Sequence, residues 1–116
     1  MNIKIDDIKF DEKGLIPAIV QDYITNEILM VAYMNKESIE QTATIKEAVF
    51  WSRSRQEIWH KGSTSGDYLK VKDLILDCDL DAILLVVEMV GKSACHNGTK
   101  SCFIDPKNHQ ARSLLM

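Results

Sequence analysis

A β-hairpin near the N-terminus is predicted from two apolar runs, Ala18-Ile19-Val20-Gln21-Asp22-Tyr23 and Ile28-Leu29-Met30-Val31-Ala32-Tyr33. Gly14-Leu15-Ile16-Pro17 leads into the first run as a turn, and Thr25-Asn26-Glu27 separates the two. Apolar runs of this length joined by a short polar turn are typical of antiparallel strands. We therefore expect a domain built on a sheet.

One helix follows the hairpin. Asn35 is a favourable N-cap residue and Glu37 favours a helix start, so a helix is predicted over about Lys36 to Lys46. Further strands are predicted at Ala48–Arg53, Tyr68–Leu76 and Ile83–Val90, with polar loops at Ser54–Gly66 and Lys92–Lys100. The expected fold class is α+β, predominantly β, with one main helix. Residues 1–116 are expected to form a single domain.

The composition excludes several classes of protein. Of the 116 residues, 46% are hydrophobic and 27% charged, as in ordinary globular proteins. The net charge of −3 argues against binding to nucleic acid or to a membrane surface. No apolar run approaches the roughly 20 residues of a membrane span, and the N-terminus does not resemble a signal peptide. We expect a cytoplasmic protein with reduced thiols.

Three cysteines, Cys78, Cys95 and Cys102, are the first candidates for a functional site. An odd number disfavours a disulfide framework, and thiolates are preferred zinc ligands. The alternative is three buried free cysteines, but Cys95 and Cys102 lie in a polar, glycine-containing segment. His96 directly follows Cys95, and adjacent residues rarely ligate one metal. We therefore predict that His96 transfers protons or contacts the substrate.

Three carboxylates flank the first cysteine. Asp77, Asp79 and Asp81 alternate, so on an extended strand they would share one face and Cys78 would lie on the other. This geometry suggests that Cys78 completes a zinc site in a partner chain, at a dimer interface. The aspartates are either a solvated strand end or, since like charges repel, a magnesium site.

The polar segment from Trp51 to Lys70 carries a net charge of +2 and is rich in hydroxyls and glycines. Such groups bind phosphate oxygens, although an exposed flexible loop is the alternative. Trp51 and Trp59 could stack on a base, but single aromatic residues are more often packing residues. The candidates for phosphate and ribose contacts are Ser52, Arg53, Arg55, Lys61 and Ser63.

In these motifs the chain resembles the phosphoribosyl-AMP cyclohydrolase family of histidine biosynthesis. The resemblance covers nearly all of the chain except the N-terminal dozen residues and the tail. It rests on residues 14–22, 30–35, 52–55, 59–66, 77–82, 94–98 and 101–103, including Trp59-His60-Lys61-Gly62-Ser63, Asp77-Cys78-Asp79-Leu80-Asp81 and Cys95-His96-Asn97-Gly98. The chain departs from the family pattern at Asp67-Tyr68, Met89 and Asn97, none of which is a predicted metal ligand.

The resemblance implies a small pseudobarrel of mixed or antiparallel sheet in an intertwined homodimer. It implies zinc bound by Cys78, Cys95 and Cys102 and shared between subunits, in agreement with the strand argument. It also implies magnesium on Asp77, Asp79 and Asp81. A pyrophosphohydrolase domain is fused behind this one in some organisms. We expect none here, and a separate phosphoribosyl-ATP pyrophosphohydrolase is a possible partner.

The implied reaction is hydrolysis of the N1–C6 bond in the adenine ring of 1-(5-phosphoribosyl)-AMP, the third step of histidine biosynthesis. The product is a formimino-aminoimidazole-carboxamide ribonucleotide. Zinc lowers the pKa of a bound water toward about 7 and so supplies the nucleophile. His96 is the first candidate for proton transfer and His60 the second.

Two other functions remain open from the residues. A zinc nucleobase deaminase also attacks a purine at C6, but its H-x-E and P-C-x-x-C signature is absent. A non-catalytic dimer that contains structural zinc and binds nucleotide phosphates would need a fourth firm zinc ligand and no open coordination position.

Overall fold

The fold is a single curled sheet with one helix packed against it. It is seen in a computed structural model that describes residues 3–95 and 97–115. After a short 3-10 turn, the order of elements is β1 (Ile16–Asp22), β2 (Ile28–Met34), α1 (Lys36–Ile45), β3 (Val49–Ser52), β4 (Glu57–His60), β5 (Leu69–Leu76) and β6 (Ile83–Met89). Within the described part of the chain, no helix is long and apolar enough to cross a membrane.

The six strands form one mixed sheet in the order β4-β3-β2-β1-β6-β5. β1 and β6 are parallel, whereas the other neighbouring strands are antiparallel. The start of β5 also reaches the chain just before β3, where Ala48 N–H donates to Leu69 O at 2.9 Å and Val71 N–H donates to Lys46 O at 2.8 Å. The sheet therefore curls into an open half-barrel. The predicted α+β pseudobarrel is confirmed, and the intertwined dimer stays a prediction.

The predicted hairpin and helix are both confirmed, for the expected reasons. Side chains of β1 alternate between buried and half-buried positions, which places Ile16, Ala18 and Val20 in the core. Helix α1 begins at the predicted cap, where Asn35 Oδ1 accepts a hydrogen bond from Ser38 N–H at 2.8 Å. It ends at Ile45, and the capping residue Lys46 has a left-handed φ of 61°.

Two expectations were wrong. The segment Ser54–Gly66 is not one long loop, because β4 lies within it and pairs with β3 in register, Trp51 opposite Ile58. The segment Asp77–Asp81 is not extended, because β5 ends at Leu76 and a tight turn follows with Leu80 at φ 64°. The argument that Cys78 and the aspartates lie on opposite faces of a strand therefore does not hold.

Candidate functional site

A cleft of about 630 Å³ opens at the end of β6 that leads into the cysteine segment. Residues on and after β4 form one wall, and the segment with Cys95 and Cys102 forms the other. Predicted site residues that line it are Arg55, His60, Lys61, Ser63, Cys95 and Cys102. One cavity therefore brings thiols, cations and hydroxyls together.

The segment that carries Cys102 is anchored to the β1–β2 hairpin. Cys102 N–H donates to Leu29 O at 2.7 Å, and Ser101 Oγ–H donates to Ile28 O at 2.8 Å. Lys100 Nζ lies 3.1 Å from Asp22 Oδ2, a nearly buried carboxylate, and 3.0 Å from Glu27 Oε1. Long-range contacts to the sheet thus fix the position of this cysteine.

The thiols of Cys95 and Cys102 influence each other's pKa. Burial raises the pKa of Cys95, but hydrogen bonds from Asn97 N–H, Cys102 and Thr99, together with the charge of Lys61, outweigh it and lower that pKa. Burial raises the pKa of Cys102 to about 11, and its interaction with Cys95 acts in the same direction. The pKa of Cys95 is thus lowered and that of Cys102 raised, so Cys95 loses its proton more readily than Cys102.

The ammonium of Lys61 is the buried cation of the cleft; the residue is only 6% exposed. Its Nζ donates to the main-chain oxygen of Asp67 at 3.1 Å. Burial lowers the pKa of Lys61, whereas the negative charges of Asp67, Cys102 and Cys95 oppose that change. The cleft therefore places a positive charge beside its thiols.

The side chain of His60 is held in a fixed orientation. His60 Nε2 lies 2.8 Å from Glu47 Oε1, and both side chains are about one-third exposed. The Tyr68 ring packs beside the imidazole, with 5.2 Å between ring centroids. The proton-transfer role of His60 stays a prediction, as does that of His96, which lies outside the described residues.

Two of the predicted phosphate ligands do not line the cleft. Ser52 Oγ accepts a hydrogen bond from Arg55 N–H at 3.3 Å within the β3–β4 turn. The guanidinium of Arg53 lies over the Tyr33 ring, 3.9 Å from its centroid. The substrate contacts of Ser52 and Arg53 stay predictions. Neither residue lines the cleft with the other candidates.

The acidic turn, residues Asp77 to Asp81, lies at the opposite end of β6. One oxygen from each of Asp77, Asp79 and Asp81 lies within 4.8 Å of the others. Burial raises the pKa of Asp77, but hydrogen bonds from Asp81 N–H and Ala82 N–H outweigh it and lower that pKa. The hydrogen bond to Asp77 raises the pKa of Asp81. The carboxylates therefore converge even though the segment is a turn.

Cys78 does not join the other two cysteines. It is exposed in the acidic turn, with its Sγ 3.7 Å from Asp79 Oδ1. β6 has seven residues that separate the turn from the cysteine segment. At about 3.3 Å per residue, its ends lie roughly 20 Å apart. Among the described residues, no group of three metal-binding side chains contains a cysteine.

Comparison with known proteins shows which family the chain belongs to. The family model for phosphoribosyl-AMP cyclohydrolase matches residues 30–104. A phosphoribosyl-AMP cyclohydrolase of Trichormus variabilis is 55% identical over 98 residues, covering 84% of each chain. This chain belongs to the phosphoribosyl-AMP cyclohydrolase family. The predicted family membership is confirmed.

Several relatives of this cyclohydrolase-family chain are longer. The histidine biosynthesis bifunctional protein HisIE of Caldanaerobacter subterraneus is 59% identical over 101 residues, which are 87% of this chain and 49% of that protein. The protein of the same name from Nostoc sp. is 54% identical over 101 residues, 87% of this chain and 47% of that protein. The chain thus spans about half the length of these curated relatives.

The donor sets of this family member fit the two predicted metals to different extents. Oxygens around a magnesium ion, at about 2.1 Å from it, lie roughly 3–4 Å apart, so the three aspartates need only small shifts to share one ion. Two cysteine side chains in one cleft suit zinc, but a catalytic zinc takes three protein ligands. The described residues of one chain offer two thiols in the cleft, Cys95 and Cys102.

Sequence reasoning missed three residues that shape the cleft. Glu47 orients His60, and Asp67 with Ser93 joins the two walls. Neither Glu47 nor Ser93 belongs to a local motif, because their partners are 13 and 26 residues away along the chain. Asp67 was marked only by its departure from the family pattern.

Proposed function

We propose that this chain catalyses the reaction for which its family is named, hydrolytic opening of the N1–C6 bond in 1-(5-phosphoribosyl)-AMP. The supporting observation is the cleft itself, where Cys95 and Cys102 share one cavity with Lys61, Arg55, Ser63 and His60. Zinc at the thiols would lower the pKa of a bound water, so that a nucleophile for C6 is available at neutral pH.

The chain's own side chains have distinct roles in this proposal. Lys61, Arg55 and Ser63 bind the phosphate and ribose of the substrate, because ammonium, guanidinium and hydroxyl groups are suitable donors to phosphate oxygens. His60, fixed by Glu47, transfers a proton near the ring, and His96 is the other candidate. His96→Ala with an unchanged turnover rate would remove His96 from that role.

We further propose that the active site is shared between two copies of the chain. Cys78 and the three aspartates occupy one turn, roughly a β6 length of 20 Å from Cys95 and Cys102 in the same chain. If a partner's turn approaches the cleft, it brings the third thiol and the carboxylates together. Magnesium on those carboxylates would neutralise a substrate phosphate.

The activity is tested by following ultraviolet absorbance during incubation with 1-(5-phosphoribosyl)-AMP, with and without a chelator. We expect ring opening that the chelator abolishes and added zinc restores. A zinc-replete protein that binds the nucleotide but leaves the ring closed would contradict the proposal and favour a binding module.

Whether two chains share the active site is tested by mixing two inactive variants, Cys78→Ser and Cys95→Ser. A dimer with one chain of each type has one intact site, since the Cys78 of the second chain meets the Cys95 and Cys102 of the first. Random reassociation after joint refolding makes half of the dimers mixed, so about a quarter of wild-type activity should return. If one chain supplies all three thiols, mixing restores nothing.

A further inference from the structure

The carboxylate of Asp67 joins the two walls of the cleft. Its Oδ1 accepts a hydrogen bond from Lys92 N–H at 3.0 Å, and its Oδ2 lies 3.4 Å from Ser93 Oγ. The hydroxyl of Ser93 is also 3.2 Å from Cys95 O. The Asp67 side chain on one wall thus contacts the main chain of Lys92, which is 25 residues further along the chain. Lys92 lies just before the predicted zinc ligand Cys95.

The main chain of the same residue contacts the cation of the cleft. Lys61 Nζ donates to Asp67 O at 3.1 Å, and Ser65 Oγ accepts from Asp67 N–H at 3.2 Å. Asp67 therefore uses its backbone to hold the Lys61 loop, residues 61–66, and its side chain to hold the cysteine segment, residues 92–95.

Two glycines allow this close approach. A Cβ on Gly91 would lie 1.9 Å from Asp67 Oδ1 and 2.7 Å from Asp67 Cα. A Cβ on Gly62 would lie 2.7 Å from the Asp67 carbonyl carbon. Contacts below 3.0 Å essentially never occur at real Cβ atoms. Asp67 is therefore packed tightly between the two segments that it joins.

We propose that Asp67 is a positioning residue, which sets the place of Cys95 relative to Lys61 and so aligns the metal ligand with the substrate-binding cation. This role rests on the proposed function, because it assigns a purpose to the zinc ligand and the phosphate contact. Asp67 lines the cleft, but its carboxylate is already engaged by Lys92 N–H and Ser93 Oγ, so we assign it no contact with metal or substrate. Residues that hold a metal ligand in this way typically change metal affinity by 10- to 100-fold when removed.

The link between the walls is tested on metal-free protein by hydrogen exchange of Asp67→Ala and Asp67→Asn. We expect the Lys92 amide to exchange at least about 10-fold faster in Asp67→Ala, and less so in Asp67→Asn, which keeps one acceptor. Asp73→Ala is the matched control, since Asp73 is an exposed aspartate on β5 whose Oδ1 accepts only from its neighbour Leu74 N–H among the described residues. Unchanged exchange in a folded Asp67→Ala protein would overturn the link.

The positioning role is tested by cobalt substitution, in which thiolate-to-cobalt charge-transfer bands report the ligand geometry. Asp67→Ala should shift these bands and weaken zinc binding by roughly 10- to 100-fold, whereas Asp73→Ala changes neither. Gly91→Ala, whose Cβ would lie 2.7 Å from Asp67 Cα and so displaces the backbone of Asp67 as well as its carboxylate, should also shift these bands. Wild-type bands and zinc affinity in both variants would overturn the role.

Kinetics separate this inference from the proposed function. In wild-type protein that opens the purine ring, Asp67→Ala should lower kcat/KM by roughly 10- to 100-fold, with Asp67→Asn between it and wild type. If wild type leaves the ring closed, the proposed function fails. The exchange and cobalt comparisons still decide whether Asp67 positions Cys95.

Discussion

The two ends of β6 bear donor groups that are organised in different ways. At one end, the segment with Cys95 and Cys102 is held by contacts to Asp22 of β1, to β2 and to Asp67, all distant in sequence. At the other end, the acidic turn is tied mostly to itself, with Asp77 Oδ1 accepting from Asp81 N–H at 3.0 Å and Ala82 N–H at 3.2 Å. The thiol end depends on several distant segments, whereas the acidic turn is held mainly by adjacent residues, with one distant hydrogen bond from Lys9 N–H to Leu80 O at 2.8 Å.

The largest difference between the two ends should appear when one ligand is removed from each. Cys95→Ser should lose zinc and more than about 100-fold in ring-opening rate, because the remaining ligands cannot retain the ion. Asp79→Asn should keep its zinc, and its ring-opening rate should no longer depend on magnesium. Metal analysis and turnover measure both, and full zinc with full turnover in Cys95→Ser would show that the zinc role is wrong.

Glycine substitutions probe how rigid the wall of the cleft is. Gly62 has φ +94°, and a Cβ there would lie 2.5 Å from Tyr68 N, so Gly62→Ala must move backbone. We expect it to lower the free energy of unfolding by about 3 kcal/mol. Gly66 has φ +83° with nothing within 4 Å, so Gly66→Ala is the matched control. It should cost only about 1 kcal/mol of left-handed strain. Urea denaturation that gives equal losses would contradict the close approach.

The pH dependence of stability tests whether the Asp22 carboxylate anchors the segment that carries Cys102. Burial raises the pKa of this carboxyl, but hydrogen bonds from Ile24 N–H, Lys100 and Thr25 N–H outweigh it and hold the pKa below its ordinary 3.8. A lowered folded pKa means that the stabilisation is complete above pH 4 and is lost as pH falls through the folded value. Asp22→Asn should therefore cost about 2 kcal/mol at neutral pH, measured by urea denaturation.

The gap between Asp22→Asn and wild type should narrow below about pH 4. Glu27→Gln is the control, because its carboxylate contacts the same Lys100 ammonium but is more exposed, and it should cost less than about 0.5 kcal/mol. A gap that is independent of pH would show that the charge of Asp22 does not stabilise the anchor.

The smallest effect is expected at the acidic turn. The hydrogen bond to Asp77 raises the pKa of the Asp81 carboxyl, and the negative charges of Asp77 and Asp79 act in the same direction, so Asp81→Asn should slightly raise the urea midpoint in magnesium-free buffer. Added magnesium should stabilise wild type more than the variant, and the order of the midpoints should reverse. If magnesium shifts both midpoints equally, the turn does not bind it through Asp81.

The elements that the sequence predicted well are those whose signals are local. The β1–β2 hairpin and the Asn35 cap of α1 follow from adjacent residues, and both are observed. β4 was missed because Glu57-Ile58-Trp59-His60 is short and bounded by polar residues, and its strand conformation depends on pairing with β3. The parallel pairing of β1 with β6 brings together residues more than 60 positions apart, which no local pattern indicates.

The site was predicted in its residue types better than in its geometry. Cys95, Cys102, Lys61, His60, Arg55 and Ser63 do share one cleft. The aspartates converge through a turn and not along a strand, since Leu80 adopts a left-handed conformation that alternation does not reveal. The wall-joining contacts of Asp67 and Glu47 depend on tertiary structure.

β6 also constrains how this domain can change in length. Its buried and half-buried side chains alternate, so deleting a single residue would exchange the side chains of its two faces. The same deletion would move the cysteine segment about 3.3 Å relative to the acidic turn. Natural insertions and deletions in this domain should therefore fall in exposed turns outside both donor groups, such as residues 11–14, and spare the strand between them.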